Sequence, residues 1–280
     1  VKLEEMQAKA KTATEAVSVI REATKTVPQA AIVLGSGVTA LQDLLDPVVL
    51  SYQDLFGLAP GVAGHAGQLL IGKLPENEKV TLAVFRGRYH VYEGHDWPTV
   101  TLTTRTVKDW GVPELILNNA AGGISPLLNV GDLCMVTGYR DFISEKWRGG
   151  IIDALKTFPK DCRNEVSERF FISALRLRKV DEEFGELKSG IYAAFMGPSY
   201  ETTAEIHMAR RMGCDLCGLS TVPELITAAE LGLPAAAVSV VSNVWNETTS
   251  IHGHEEVLAA TTAASHRFDK LLRYVYSGRK

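Results

Sequence analysis

The sequence predicts an α/β protein: one layered domain in which a sheet is largely buried between helices. Three observations carry that prediction. Short apolar, β-branched runs alternate with stretches of helical period along most of the chain, the pattern of a sheet covered by helices. With 280 residues, 46% hydrophobic and 22% charged, the chain can bury a substantial core and lies near the upper size for one domain. No internal repeat, low-complexity tract or linker rich in Pro and Gly interrupts it, so residues 1–280 read as a single unit.

The elements follow in order. Leu3, Met6, Ala10, Ala13, Val17 and Ile20 recur at three- and four-residue steps, predicting an amphipathic helix closed by residues 24–28. Strands are predicted near 30–34, 69–74, 79–85, 114–118, 132–137, 190–195, 215–219 and 235–241, and helices near 97–110, 165–184, 201–213, 222–231 and 255–276. The last helix carries Val257, Thr261, Ala264, Phe268, Leu271 and Val275 on one face. Glu255 and Glu256 in its first turn, with Lys270 and Arg273 near its end, suit the helix macrodipole.

Composition excludes several functions. A net charge of −4 argues against a nucleic-acid-binding surface. No run of 18 apolar residues exists, so no membrane span is expected. The acidic, mixed start Val1-Lys-Leu-Glu-Glu5 is unlike a signal peptide, which makes a cytoplasmic protein the expectation. Cys134, Cys162, Cys214 and Cys217 suit reduced thiols. Cys214 and Cys217 form C-x-x-C, but a zinc site needs a second pair and the other two lie far apart. They read as small apolar residues near a buried strand, and no metal is expected.

The chemistry concentrates in loops beside apolar runs. Gly87-Arg88-Tyr89-His90-Val91-Tyr92-Glu93-Gly94 follows the strand predicted at 79–85, and in α/β proteins ligands bind at strand ends. Arginine offers a planar fork for an oxyanion, and histidine can donate to the same anion. Five further stretches have the same character: Gly35-Ser36-Gly37, Gly64-His65-Ala66-Gly67, Asn119-Ala120-Ala121-Gly122-Gly123, Gly197-Pro198-Ser199-Tyr200-Glu201-Thr202 and Gly218-Leu219-Ser220-Thr221-Val222-Pro223-Glu224. The first of these admits a dinucleotide reading. Ala40 stands where the third glycine would be, and Asp54 lies at about the distance of a ribose-binding acid. That reading leaves the other motifs unexplained and ranks low.

Together with Ser242-Asn243 and His254-Glu255-Glu256-Val257, these motifs resemble those of the trimeric purine nucleoside phosphorylases over about residues 30–137 and 189–275. The resemblance implies a mixed central sheet partly closed into a barrel, and phosphorolysis of purine nucleosides, preferentially 6-oxopurines, to base and ribose 1-phosphate. It assigns phosphate to Ser36, Arg88, His90, the Ala120 backbone N–H and Ser220, with His65 nearby. Tyr200, Glu201, Asn243 and Cys217 border the purine in that assignment, and Tyr92, Leu219 and His254 the ribose. Thr202 and Ser242 stand behind them, and His252 competes with His254. Asn243, Glu201 and His90 are the catalytic candidates. Phosphate is then a co-substrate, no cofactor is needed, and a homotrimer is expected.

Residues 138–188 depart from the family. The aromatic that reaches the neighbouring subunit's ribose site has three candidates, Trp147, Phe158 and Phe170. Two other functions are weighed. A methylthioadenosine phosphorylase would favour aspartate at 243 and a small apolar residue at 254. A silent nucleoside-binding protein would have lost Arg88, His90, Glu201 or Asn243, and all four are present.

Overall fold

Residues 30–34, Ala-Ala-Ile-Val-Leu, have no polar position, and a strand without a polar face must be covered on both sides. The computed structural model, which describes residues 10–62, 64–143, 159–245 and 254–278 with side chains from Val257 onward in the last stretch, buries all five as β1 (Ala30–Leu34). β1 lies between two parallel neighbours, β4 (Asn77–Arg86) and β5 (Leu115–Gly123). Successive side chains leave a strand on opposite faces. Ala31, Val33, Leu115 and Leu117 therefore enter one core, and Ile32, Leu34 and Ile116 the other.

Helices cover the two cores. On the first side are α1 (Ala13–Ala23), α4 (Leu102–Trp110) and α7 (Val222–Glu230), which contribute Val17, Ile20, Trp110 and Leu225 among others. On the second are α5 (Glu165–Val180) and α8 (His254–Ser277), which contribute Val166, Phe170, Phe268 and Leu271.

The sheet closes on itself at one end. β5 pairs parallel with β10 (Ala235–Val244), and β10 pairs antiparallel with β6 (Leu133–Asp141). β6 runs parallel to β8 (Leu187–Ala194), β8 to β9 (Leu216–Gly218), and β9 returns antiparallel to β5. These five strands form the expected barrel. Away from it the sheet continues through β1, β4, β3 (Gln68–Leu74) and β2 (Leu45–Ser51), and the two-residue β7 (Lys160–Asp161) is added to β6. Among the described residues no helix is long and apolar enough to cross a membrane.

The structure corrects several sequence expectations. The first helix begins at Ala13, where Thr12 and Glu15 form a reciprocal capping box; Leu3 and Met6 lie outside the described residues. β2 and the short α2 (Tyr52–Phe56) escaped the sequence reading. β2 contains Pro47 and is mostly exposed, as an edge strand permits. The stretch near 97–110 is two helices, α3 (Trp97–Val100) and α4, and α5 ends at Val180 before a separate 3₁₀ turn, Glu182–Phe184. The helix expected from residue 201 is α6 (Thr203–Arg211). Phe170 is wholly buried on the inner face of α5, edge-on to Tyr276, and so is withdrawn as an aromatic reaching another subunit. Trp147 and Phe158 lie outside the described residues.

Candidate active site

β1, β4, β5, β9 and β10 deliver their motif loops to one cleft. Gly35, Ser36, His65, Arg88, His90, Tyr92, Ala120, Gly122, Tyr200, Glu201, Cys217, Leu219, Ser220, Ser242 and Asn243 all line it, with Val62, Asn119, Gly218 and Val257. Thus the site residues proposed from the sequence meet here except Thr202 and His254; the side chain of His254, like His252, lies outside those described. A larger groove between α5 and the loop near 124–130 contains none of these motif residues. Thr202 does not line the cleft: its side chain caps α6 by accepting from the Glu205 N–H. The dinucleotide reading also falls, because no helix follows Gly37 and Asp54 is occupied in capping α2 with Ser51.

One end of the cleft is a cluster of anion donors. The Ser36 hydroxyl and His65 Nε2 lie 3.0 Å apart, and His65 Nδ1 is 3.1 Å from the Arg88 carbonyl. The rings of His65 and His90 stack at 5.4 Å, and those of His90 and Tyr92 at 4.7 Å. Gly87 makes room for this, because at its φ of +123° a Cβ would stand 2.7 Å from His65 Cβ. His90 donates from its backbone N–H (2.8 Å) and Nδ1–H (2.9 Å) to Glu93, whose other oxygen accepts from the Gly61 N–H at 2.9 Å. Arg88 Nη1 points to Ser220 Oγ at 3.5 Å, and Arg88 Nε is 3.1 Å from the Glu224 carboxylate.

Burial governs the titration of these groups. It pushes the His65 imidazole down to about 3, with the His90 and Arg88 charges adding to the effect. His90 is also lowered by burial, against the pull of Glu93. Burial would raise Glu93, but its hydrogen bonds from His90 and Gly61 bring the net shift down. Both imidazoles are therefore neutral at physiological pH, and the cluster has little excess positive charge.

The other end is narrower and less polar. Asn243 follows a break in register between β10 and β5, after Val241. The Ser242 hydroxyl donates to Asn243 Oδ1 at 2.9 Å, which leaves the Nδ2 amide protons available. A Cβ on Gly122 would stand 2.9 Å from Cys217 Sγ and 3.5 Å from Asn243 Nδ2, so only glycine keeps this wall open. Glu201 precedes the α6 cap and turns inward, where its Oε1 is buried without a hydrogen-bond partner. Burial raises its carboxyl above the ordinary range. Tyr200, 43% exposed, stands at the cleft mouth.

Sequence reasoning did not single out three further residues. Glu224 holds Arg88, Glu93 holds His90, and Asn119 donates to Thr221 Oγ1 at 2.8 Å beside Ser220. All three stood inside quoted motifs. Glu93, three residues after His90, had a spacing signal as a capping pair; Glu224 and Asn119 have partners in loops distant in sequence, which spacing does not connect.

A barrel-closed α/β sheet whose strand ends gather an oxyanion cluster beside an amide–carboxylate pocket is the architecture of a class, the phosphorylase superfamily, and that family's model matches residues 29–277. The chain is 33% identical over 264 residues to purine nucleoside phosphorylase 1 of Bacillus subtilis, covering 89% of this chain and 91% of the relative. It is 37% identical over 247 residues to the purine nucleoside phosphorylase of Mycobacterium leprae, covering 86% of each. A schistosome purine nucleoside phosphorylase solved with hypoxanthine superposes with a TM-score of 0.76 at 30% identity, over 96% of this chain and 97% of that one. A Schistosoma mansoni enzyme solved with adenosine gives 0.76 at 29%, over the same shares. The chain belongs to the purine nucleoside phosphorylases, enzymes of the pentosyltransferase type.

Proposed function

We propose that this enzyme prefers 6-oxopurine nucleosides, inosine and guanosine, and that Glu201 and Asn243 set the preference. The observation that carries this reading is the buried, unpartnered Glu201 Oε1. A desolvated acceptor without a donor is costly, and the N1–H of a 6-oxopurine supplies the donor. Adenosine presents a bare N1 lone pair there instead. Asn243, its Oδ1 engaged by Ser242, offers Nδ2 to the purine N7.

In the same reading Ser36, His65, Arg88, His90, the Ala120 N–H and Ser220 bind phosphate. Cys217 and Tyr200 border the base, and Tyr92, Leu219 and His254 the ribose. Cleavage of the C1′–N9 bond leaves positive charge on the ribosyl group, as in glycoside chemistry generally. Bound phosphate lies against that cation and attacks it, while Asn243 stabilises the departing purine. Rate enhancement then comes from positioning and preorganised electrostatics. The reaction as proposed uses no metal, organic cofactor or covalent enzyme intermediate. We also propose a homotrimer with its sites near subunit boundaries, which the exposure of Tyr200 at the cleft mouth supports.

The test is base release from inosine, guanosine, adenosine and xanthosine, with and without phosphate. Turnover should require phosphate, and adenosine should trail inosine by on the order of 10⁴ in kcat/KM, as expected of a site built around one buried hydrogen bond. Glu201→Gln can donate to adenine N1 and should narrow that gap while slowing inosine turnover. Equal efficiency on adenosine and inosine would overturn the base assignment, and phosphate-independent release of free ribose the phosphate assignment.

A further inference from the structure

We infer that Glu224 is a positioning residue for phosphate: it grips one edge of the Arg88 guanidinium so that the opposite edge is presented to the anion. The inference rests on the phosphate assignment above and goes beyond it by naming what aims the arginine.

The geometry is specific. Arg88 and Glu224 are each 2% exposed, and the contact is between Nε and Oε2 at 3.1 Å. An arginine has five N–H donors in a rigid fork. Glu224 stands on the Nε side as an ion pair that does not meet hydrogen-bond geometry, and Ser220 Oγ lies 3.5 Å from Nη1. Nη2, like Nε, is buried without a hydrogen-bond partner among the described residues, but the Glu224 ion pair is made at Nε, and Arg88 lines the cleft. The free Nη edge is the one that suits two oxygens of a phosphate.

Glu224 is itself fixed. It stands in the first turn of α7, three residues after the Thr221 cap, where a glutamate ordinarily reaches back to the cap N–H. Burial raises its carboxyl, and the Arg88 charge and the Thr221 backbone pull against that rise. Thr221 holds a φ of +72°, an outlier for a β-branched residue, with Oγ1 bonded by Asn119 at 2.8 Å and close to Ser220 Oγ at 3.1 Å. One tight turn thus places Ser220 and, through Glu224, orients Arg88.

The experiment compares Glu224→Ala, Glu224→Gln and Glu224→Asp with wild type and Arg88→Ala, measuring KM for phosphate and for inosine separately. Loss of aim at a charge-assisted contact should raise the phosphate KM about tenfold or more in Glu224→Ala, with the inosine KM changed less than about threefold. Glu224→Gln keeps an oxygen acceptor at the same reach and should restore the phosphate KM to near wild type. If Glu224→Ala does not fold, Glu224→Asp, shorter by one methylene, should show the raised phosphate KM that Gln lacks. Equal movement of both KM values, or a wild-type phosphate KM in the Ala or Asp variant while Arg88→Ala weakens phosphate, would overturn the inference and leave the phosphate site standing. Wild-type turnover indifferent to phosphate would overturn both.

Discussion

His65 shows how burial, rather than charge, sets the chemistry of a single residue. Its imidazole is held at about 3, against roughly 6.5 in an unfolded chain. The unfolded state therefore binds a proton that the native site refuses. Stability from this residue is complete above about pH 6.5 and is lost as pH falls toward the folded value of about 3. His90 shifts in the same direction. Linkage puts the His65 contribution at about 2 kcal/mol by pH 5, or roughly 4–8 °C in Tm for a chain of this size. His65→Asn should melt with a shallower acid dependence, and a pH–Tm curve unchanged from wild type would remove His65 as its source. The thiols follow the same rule. Burial raises Cys134, Cys162 and Cys214 to about 12, and Cys217 well above its ordinary value. Reactivity needs the thiolate, so a disulfide reagent should label the native protein slowly and all 4 cysteines rapidly once unfolded. Fast stoichiometric labelling of native protein would contradict that.

At the scale of elements, the caps decide where helices begin and what they touch. Asn164 accepts from the Val166 and Ser167 N–H groups at the start of α5, and its Nδ2 donates to the Ala235 carbonyl at 2.6 Å. One side chain therefore ends a helix and ties it to β10, the strand that carries Asn243. Asn164→Ala loses the cap and the bridge, so a destabilisation of about 1–2 kcal/mol is expected, read by denaturant midpoint. A midpoint within error of wild type would show that water replaces both bonds. The same logic separates Glu201 from Thr202. Thr202, paired with Glu205, takes the capping duty, which frees Glu201 to face the cleft.

For the whole molecule, barrel closure sets the site. β9 is three residues long, yet by pairing with both β5 and β8 it brings Cys217 opposite Gly122 and carries the chain on to Leu219 and Ser220. Exposed apolar side chains remain outside this barrel, Met196 and Tyr200 among them, and Tyr200 lines the cleft. The proposed homotrimer predicts a light-scattering mass near three times the 30.5 kDa chain at assay concentration. A fully active monomer would refute it.

Local pattern alone was enough for the buried strands, the long helices and the strand-end loops. Ala30–Leu34, Ala235–Val241 and the apolar face of α8 are legible because burial on one or both faces imposes a period on neighbouring residues. The six loop motifs named nearly all of the cleft for a related reason: glycine and polar residues beside an apolar strand serve no core. Local pattern could not supply the Arg88–Glu224 pair, the inward turn of Phe170, or the β5–β10 and β5–β9 pairings that close the barrel. Those depend on which distant segments the sheet order brings together, and spacing along the chain contains no such term. β2 failed for the opposite reason: an exposed edge with a proline has no buried face to impose a pattern.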